Sequence, residues 1–270
     1  MISEISLISA GLGALVGCIL ALTGAGGAIL AIPLLAFSLG LNLQQAAPIA
    51  LLAIFTAASI GTLQGLSQGL VRYKTALLIA LLGIICAPLG VMLAHWLPLP
   101  LLSGLFAGIL ISVALRSWQY AKFEQIDNKD TPPPACTINP ATSRLFWTAR
   151  CTWRLLSTGA LAGLLSGLLG VGGGFVIVPS LQRASNFKPQ VIVATTLAAI
   201  AMITASSLAL HGVKSTIHWQ IALPFTFSAT IVMLALGTFS EKIPNAIRQK
   251  GFAILCIVAA FYLAANAVIL

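Results

Sequence analysis

Gly170-Val171-Gly172-Gly173-Gly174 interrupts one apolar stretch of the chain, and Gly24-Ala25-Gly26-Gly27-Ala28 interrupts another 146 residues earlier. A glycine cluster inside an apolar helix supplies two things that binding chemistry can use. It leaves backbone N–H groups unpaired at the start of the next helical piece, at the positive end of that piece's dipole. It also removes the side chains that would hold a ligand away, so an oxyanion can sit directly on the amides. Polar side chains accompany both clusters. Thr23 precedes the first; Thr56, Ser59, Thr62 and Gln64 lie on the next apolar segment, and Thr195, Thr196, Thr204, Ser206, Ser207 and His211 lie on its counterpart. The candidate substrate-binding set is therefore Thr23, Gly24, Gly26, Gly27, Thr56, Ser59, Gln64, Gly170, Gly172, Gly173, Gly174, Thr195, Thr196, Ser206 and His211. Each has a plainer role to compete with. Serine and threonine in apolar helices often bond their own backbone, His211 can cap a helix end as readily as it can carry a proton, and glycines allow helices to pack closely. The packing role suits Gly13, Gly17, Gly159, Gly163 and Gly167, which recur at four-residue spacing, better than it suits the clusters.

The elements that must hold these residues are membrane spans. Hydrophobic residues make up 59% of the chain and charged residues 7%, where a soluble domain carries about 25% charged. Apolar segments fall at 5–40, 45–66, 75–96, 99–117, 153–182, 189–211, 219–239 and 247–270, most of them long enough for the roughly 20 residues that a bilayer core requires. The expected fold is an all-α polytopic membrane protein of two homologous four-segment halves, 1–117 and 153–270, each with a glycine-broken first helix. A polar linker, 118–152, carries Glu124, Asp127, Lys129, Asp130 and Pro132-Pro133-Pro134 between them. The halves match without a gap at Gly13-Ala14-Leu15 and Gly159-Ala160-Leu161, at Gly17 and Gly163, and at Pro33 and Pro179.

The first segment of each half leaves the topology open. As one helix, 36 residues would be about 54 Å long against a core of about 30 Å, so segment 5–40 must break, and its glycines are where it can. Two half-helices in one span give four spans per half and parallel repeats, the form preferred here because 27–40 and 174–185 are short and each holds a proline. A chain reversal that crosses again gives five plus five inverted repeats. With residue 1 cytoplasmic, nine Lys and Arg fall inside and five outside, the second half obeying the positive-inside rule poorly. The N-terminus and linker are thus both expected in the cytoplasm of a bacterial inner membrane. Cys18, Cys86, Cys136, Cys151 and Cys256 have no metal spacing and are expected as free thiols. His95-Trp96, His218-Trp219 and Tyr73 suit an interfacial belt.

Several function classes fall away. The net charge of +9 sits between apolar runs and not along one face, which argues against nucleic acid. The glycine cluster lacks a preceding strand, a GxGxxG register and a following acid, so it is no dinucleotide site. No catalytic constellation or cofactor site can be assembled from intramembrane residues. Glu4, Glu124, Asp127, Asp130 and Glu241 are all terminal or in loops, so a coupling proton or sodium ion, if used, must rely on His211, the substrate itself or backbone carbonyls.

The run GLLSGLLGVGGGFVIVPSL at 163–181, its weaker twin at 17–35, and four-plus-four apolar segments around a charged linker resemble the TauE/SafE family of sulfite and organosulfonate transporters, also called the toluenesulfonate uptake permease group. The resemblance implies a secondary carrier for a small anionic substrate in a lipid bilayer. It departs from the pattern at Ala25 and Ala28, where the first cluster is eroded. Export is the expected direction, since about 2.3 kcal/mol per charge per 100 mV favours anion exit from an inside-negative cell. An anion channel on the same scaffold and a non-transport membrane assembly factor remain alternatives, and the oligomeric state stays open.

Overall fold

The computed structural model describes residues 2–24, 26–123, 136, 148–185, 187–214, 218–237 and 245–269. They form ten α-helices: α1 (Ile2–Thr23), α2 (Ala31–Leu39), α3 (Leu43–Ser67), α4 (Tyr73–Trp96), α5 (Leu99–Phe123), α6 (Ala149–Leu169), α7 (Gly174–Ala184), α8 (Pro189–Lys214), α9 (Trp219–Gly237) and α10 (Asn245–Ile269), with a 3-10 turn over Gly26–Leu30. Six of them are long and apolar enough to cross a membrane. Their outer surfaces carry large apolar side chains such as Leu7 (76% exposed), Phe227 (71%) and Phe261 (79%), a pattern that only a lipid solvent satisfies. Tyr73, Trp96, Trp153 and Trp219 stand exposed at helix ends, as an aromatic belt requires. The chain is an integral, all-α polytopic membrane protein.

Both glycine clusters reverse the chain. Gly170, Gly172 and Gly173 have φ of 72°, 74° and 69°, left-handed values that cost a residue with a Cβ about 1–2 kcal/mol each. After that turn α7 runs back along α6, so that the Thr158 and Ser180 hydroxyls meet. In the first half Gly24 has φ of 80°, and the chain folds back so closely that a Cβ on Gly27 would strike the backbone of Ile19 and Leu20. Segments 5–40 and 153–182 are therefore helical hairpins and not single broken spans, which replaces the preferred four helices per half with five. The returning arms are short. The 11 residues of α7 and the 9 of α2 reach only about 16 and 14 Å as helices.

Helices from the two sequence halves interleave. A Cβ on Gly13 or Gly17 of α1 would fall on the carbonyls of Phe225 and Ala229 of α9, and one on Gly159, Gly163 or Gly167 of α6 on those of Ile79, Gly83 and Ala87 of α4. These glycines are packing residues, and both pairs run parallel because positions advance together. By the same reading α3 lies parallel to α9, through Thr56 with Thr230 and Gly61 with Met233, and antiparallel to α8, through Gly61 with Leu197 and Gly65 with Ala194. α8 is parallel to α4, through Thr195 with Arg72, Ile203 with Gly83 and His211 with His95. α1, α2, α3 and α9 thus form one layer and α6, α7, α8 and α4 the other, with α5 paired to α10 alongside.

Following these directions, α1 and α6 run oppositely, and the N-terminus and the end of α5 lie at opposite ends of the bundle. The hairpin adds a reversal that the single-span form lacks. Of the Lys and Arg among described residues, ten lie at the end where α5 finishes and α6 begins, and Lys214 alone lies at the other.

Most of the linker, with Pro132-Pro133-Pro134, lies outside the described residues. Cys136 is described, and its pairing corrects the reading of five free thiols: it forms a disulfide with Cys151, their Cα atoms 5.1 Å apart. The Cys136 N–H also donates to the Ala184 carbonyl at 2.8 Å, fastening the linker to the ends of α6 and α7. Cys18, Cys86 and Cys256 are free. Denatured, unreduced protein is accordingly expected to take up three alkyl groups per chain and reduced protein five, which intact-mass spectrometry reads directly; five in both states would refute the bond.

Candidate functional site

A cavity of about 1820 Å³ opens at the base-rich end, between the ends of α1, α3 and α5 and the beginnings of α6, α8 and α10. Arg116, Arg154, Arg183 and Lys188 line it, with Gln64, Gln182 and Gln190, and no acidic residue is among its described lining. An apolar cleft with one sign of charge at its mouth concentrates ions of the opposite sign, here anions. The wall then narrows past Thr158 and Ser180 to Leu165, Phe175 and Val176. Phe175 and Val176 belong to the first turn of α7, where the Val176 N–H donates to the carbonyl of the N-cap Gly173 at 3.1 Å. The cavity thus leads from a ring of bases to the positive end of a helix.

The two breaks meet beneath this floor, where the 3-10 turn packs on α7. Gly170 faces Ala47 and Ile32, Gly172 faces Thr204, Ile54 and Ile200, and Gly173 faces Ala162; Gly174 opens α7 and is buried. Gly26 opens the 3-10 turn, Gly27 lies against α1, and Gly24 lies against Val193. Of the sequence-predicted set, Thr23, Gly24 and Gln64 line the cavity itself.

The hydroxyls divide by where their single proton goes. Thr23 donates to Ile19 O (2.7 Å), Thr56 to Leu52 O and Ala53 O, and Thr204 to Ile200 O (2.7 Å). A hydroxyl has one proton, so in this state these three have none left for an anion. Thr195 accepts from the Arg72 N–H at 3.1 Å, which anchors the α3–α4 turn to α8 and takes it away from the cavity. Ser59 is half-buried on α3, and Ser206 half-buried on α8 beside Ser207, whose hydroxyl meets that of Ser166. Thr196 differs: it is fully buried, and its hydroxyl has no partner among the described residues. A buried hydroxyl without a partner costs about 1–3 kcal/mol. It shares a face of α8, by helical spacing, with Ile200 and Thr204, the residues that touch Gly172.

His211 sits at the far end of that same face, buried, and its Nε2–H donates to the Gly167 carbonyl at 3.0 Å. That carbonyl is among those freed when α6 stops at Gly170, so His211 caps the broken helix and not the end of its own. The four bases of the mouth were legible only as topology signals. Once the break is a reversal, Arg154 and Arg183 fall one turn beyond Thr158 and Ser180 in the same antiparallel register, which is the signal that could have found them.

Comparison with known proteins agrees with this architecture. The family model described as "Sulfite exporter TauE/SafE" matches residues 9–263. A "Probable membrane transporter protein" of Xylella fastidiosa (strain Temecula1 / ATCC 700964) is 30% identical over 226 residues, covering 81% of this chain and 78% of that protein. Another of that description, from Haemophilus influenzae, is 32% identical over 112 residues, 38% of this chain and 41% of its own. No solved structure matches. With nearly the whole chain matched and the membrane bundle in place, the protein belongs to the TauE/SafE family of membrane transporters.

Proposed function

We propose that the chain is a secondary carrier exporting a small sulfur oxyanion or organosulfonate across a bacterial inner membrane by alternating access. The observation that carries this reading is the cavity that runs from four bases to the start of α7, with no acid among its described lining residues. A sulfite or sulfonate head presents three acceptor oxygens, which suits guanidinium forks at the mouth and backbone N–H groups at the break. The family's description as a sulfite exporter supports the substrate class and direction. The ten-to-one partition of bases supports a cytoplasmic placement for the linker and the cavity mouth, and so an external N-terminus.

Two sets of contacts support inverted repeats of five helices. Gly24 meets Val193 as Gly170 meets Ala47, and Gly13 meets Phe225 as Gly159 meets Ile79; each pair becomes the other when both members shift by 146 residues and exchange halves. The units that would rock are then the interleaved layers and not the two sequence halves. Inverted repeats also imply an image of the large cavity at the opposite end, and Leu43, Gln44 and Ala47 with Leu168 and Leu169 enclose about 80 Å³ there, the closed form of that image.

The test uses detergent-solubilised protein with sulfite, sulfate, thiosulfate, taurine, sulfoacetate and chloride. A ligand that binds the folded state at 100 times Kd adds about 2.7 kcal/mol of stability and so raises the melting temperature. A selective shift with one sulfur anion, lost in Arg154→Gln, is expected, together with saturable counterflow in proteoliposomes. Flux that does not saturate would make the protein a channel, and no shift with any anion would refute the substrate class.

A further inference from the structure

We propose that Arg116 and Arg183 are the gate of the large cavity, and that an oxyanion must lie between them for that gate to close. The inference rests on the inverted-repeat, alternating-access reading and adds to it which residues shut the base-rich end and what they need in order to do so.

The opposite end shows a gate that is shut. There α10 packs against α1, α2 and the 3-10 turn, and the ring of Phe37 on α2 stands edge-on to that of Tyr262 on α10, their centroids 4.9 Å apart. The 146-residue register carries on through α5 and α10. Phe106, Ala107, Leu110 and Ala114 of α5 correspond to Phe252, Ala253, Cys256 and Ala260 of α10, and all of them are buried. Exchange of the halves therefore puts Arg116 in the place of Tyr262 and Arg183 in the place of Phe37. Both arginines line the large cavity, one from α5 and one from α7, and in this state α5 packs extensively on α10 alone. The cavity thus takes up the space where the exchanged contacts of α5 would fall.

The chemistry of the two pairs sets how each end closes. Two aromatic rings attract across an apolar seam and need nothing between them. Two guanidiniums brought to a similar separation repel, the more strongly as closure takes water from around them, and no acid among the cavity's described lining residues offsets the charge. A small oxyanion does so, because planar forks from either side can share its oxygens. Arg183 has a partner of its own in the open state; the proposal concerns the closed one. The base-rich end then shuts only around its cargo, whereas the aromatic end shuts empty. An empty carrier accordingly rests open toward the bases, and that is the side from which cargo is loaded.

The test reads the width of the mouth. Cys18, Cys86 and Cys256 are replaced by serine, and thioether-linked spin labels are placed at Gln119→Cys near the end of α5 and at Gln182→Cys on α7, both exposed positions. Pulsed electron spin resonance on the purified protein then gives the distance between the labels in chloride alone, with sulfite and with sulfoacetate. One of these sulfur anions is expected to raise the short-distance population about tenfold over chloride. Arg116→Gln with Arg183→Gln should abolish the dependence on anion. Arg116→Tyr with Arg183→Phe, which copies the aromatic gate at two exposed sites, should give the short distance in chloride alone. An equal anion response in the glutamine pair, or an aromatic pair that stays wide, overturns the gate and leaves the sulfur-anion reading untouched. An aromatic pair that closes unaided, in a protein whose parent form neither anion narrows, upholds the gate and removes only the substrate assignment.

Discussion

Gly172→Ala is expected to lower transport about tenfold or more while the protein still reaches the membrane, because it adds one methyl group at the point where α3 and α8 close on the break. The residue has φ of +74°, where any L side chain costs about 1–2 kcal/mol, close to a factor of ten for a state that must be populated to turn over. The new Cβ would also stand 2.9 Å from Thr204 Cγ2 and 3.0 Å from Ile54 Cγ2, inside ordinary contact distance. The matched control is Gly40→Ala at the end of α2, which has a similar φ of +63° with nothing within 4 Å. It carries the conformational cost alone and should retain transport at somewhat lower stability. Counterflow in proteoliposomes, normalised to inserted protein, separates the two; full activity in Gly172→Ala would show that the break is not where the anion passes.

The second large effect is on stability. In Gly163→Ala the methyl group would lie on the backbone of Gly83, and since neither neighbour has a side chain that can turn aside, α4 and α6 must part along their length. Overpacking of a tight core costs about 1–3 kcal/mol, occasionally more, and here it strikes the longest contact in the bundle. Gly104→Ala and Gly108→Ala on α5, where nothing lies within 4 Å, should instead gain about 0.5–1 kcal/mol from the smaller entropy loss of alanine in a helix. Thermal unfolding in one detergent would show the opposite signs. Equal effects would mean that α4 and α6 are not in backbone contact.

What could be read from the chain follows from what a single sequence encodes. The spacing of Gly13, Gly17, Gly159, Gly163 and Gly167 announces a bare helix face, and the apolar runs announce spans, since both are local properties. Neither names a partner, so the pairing of α6 with α4 and not with its own half was invisible. The length of segment 5–40 demanded a break but left a kink and a reversal both allowed; left-handed glycines at the breaks, Gly24 in the first half and Gly170, Gly172 and Gly173 in the second, decide for reversal, and dihedral sign is not written in composition. That single ambiguity carried the rest with it. It hid the gathering of Arg154 and Arg183, and left Cys136 and Cys151 looking like unrelated thiols of the linker. Which hydroxyls keep a proton was not legible either, since the Arg72 N–H that Thr195 accepts from belongs to another helix's start and the partnerless burial of Thr196 depends on its neighbours in space.

The exchange of α4 and α9 between layers also sets a schedule for the ribosome. α4 leaves the translocon with its bare glycine and carbonyl stripe facing lipid, because α6, its partner, is complete only about 70 residues later, on the order of 4–15 s at about 5–20 residues per second. α1 waits longer still for α9. Neither layer can close around its hairpin until the last third of the chain is being made, so the nascent protein passes through an interval in which α1 and α4 are inserted without their main packing partners. Quality control in the membrane must tolerate that interval, and an arrest or truncation after α5 would leave an intermediate held open with its packing seams bare.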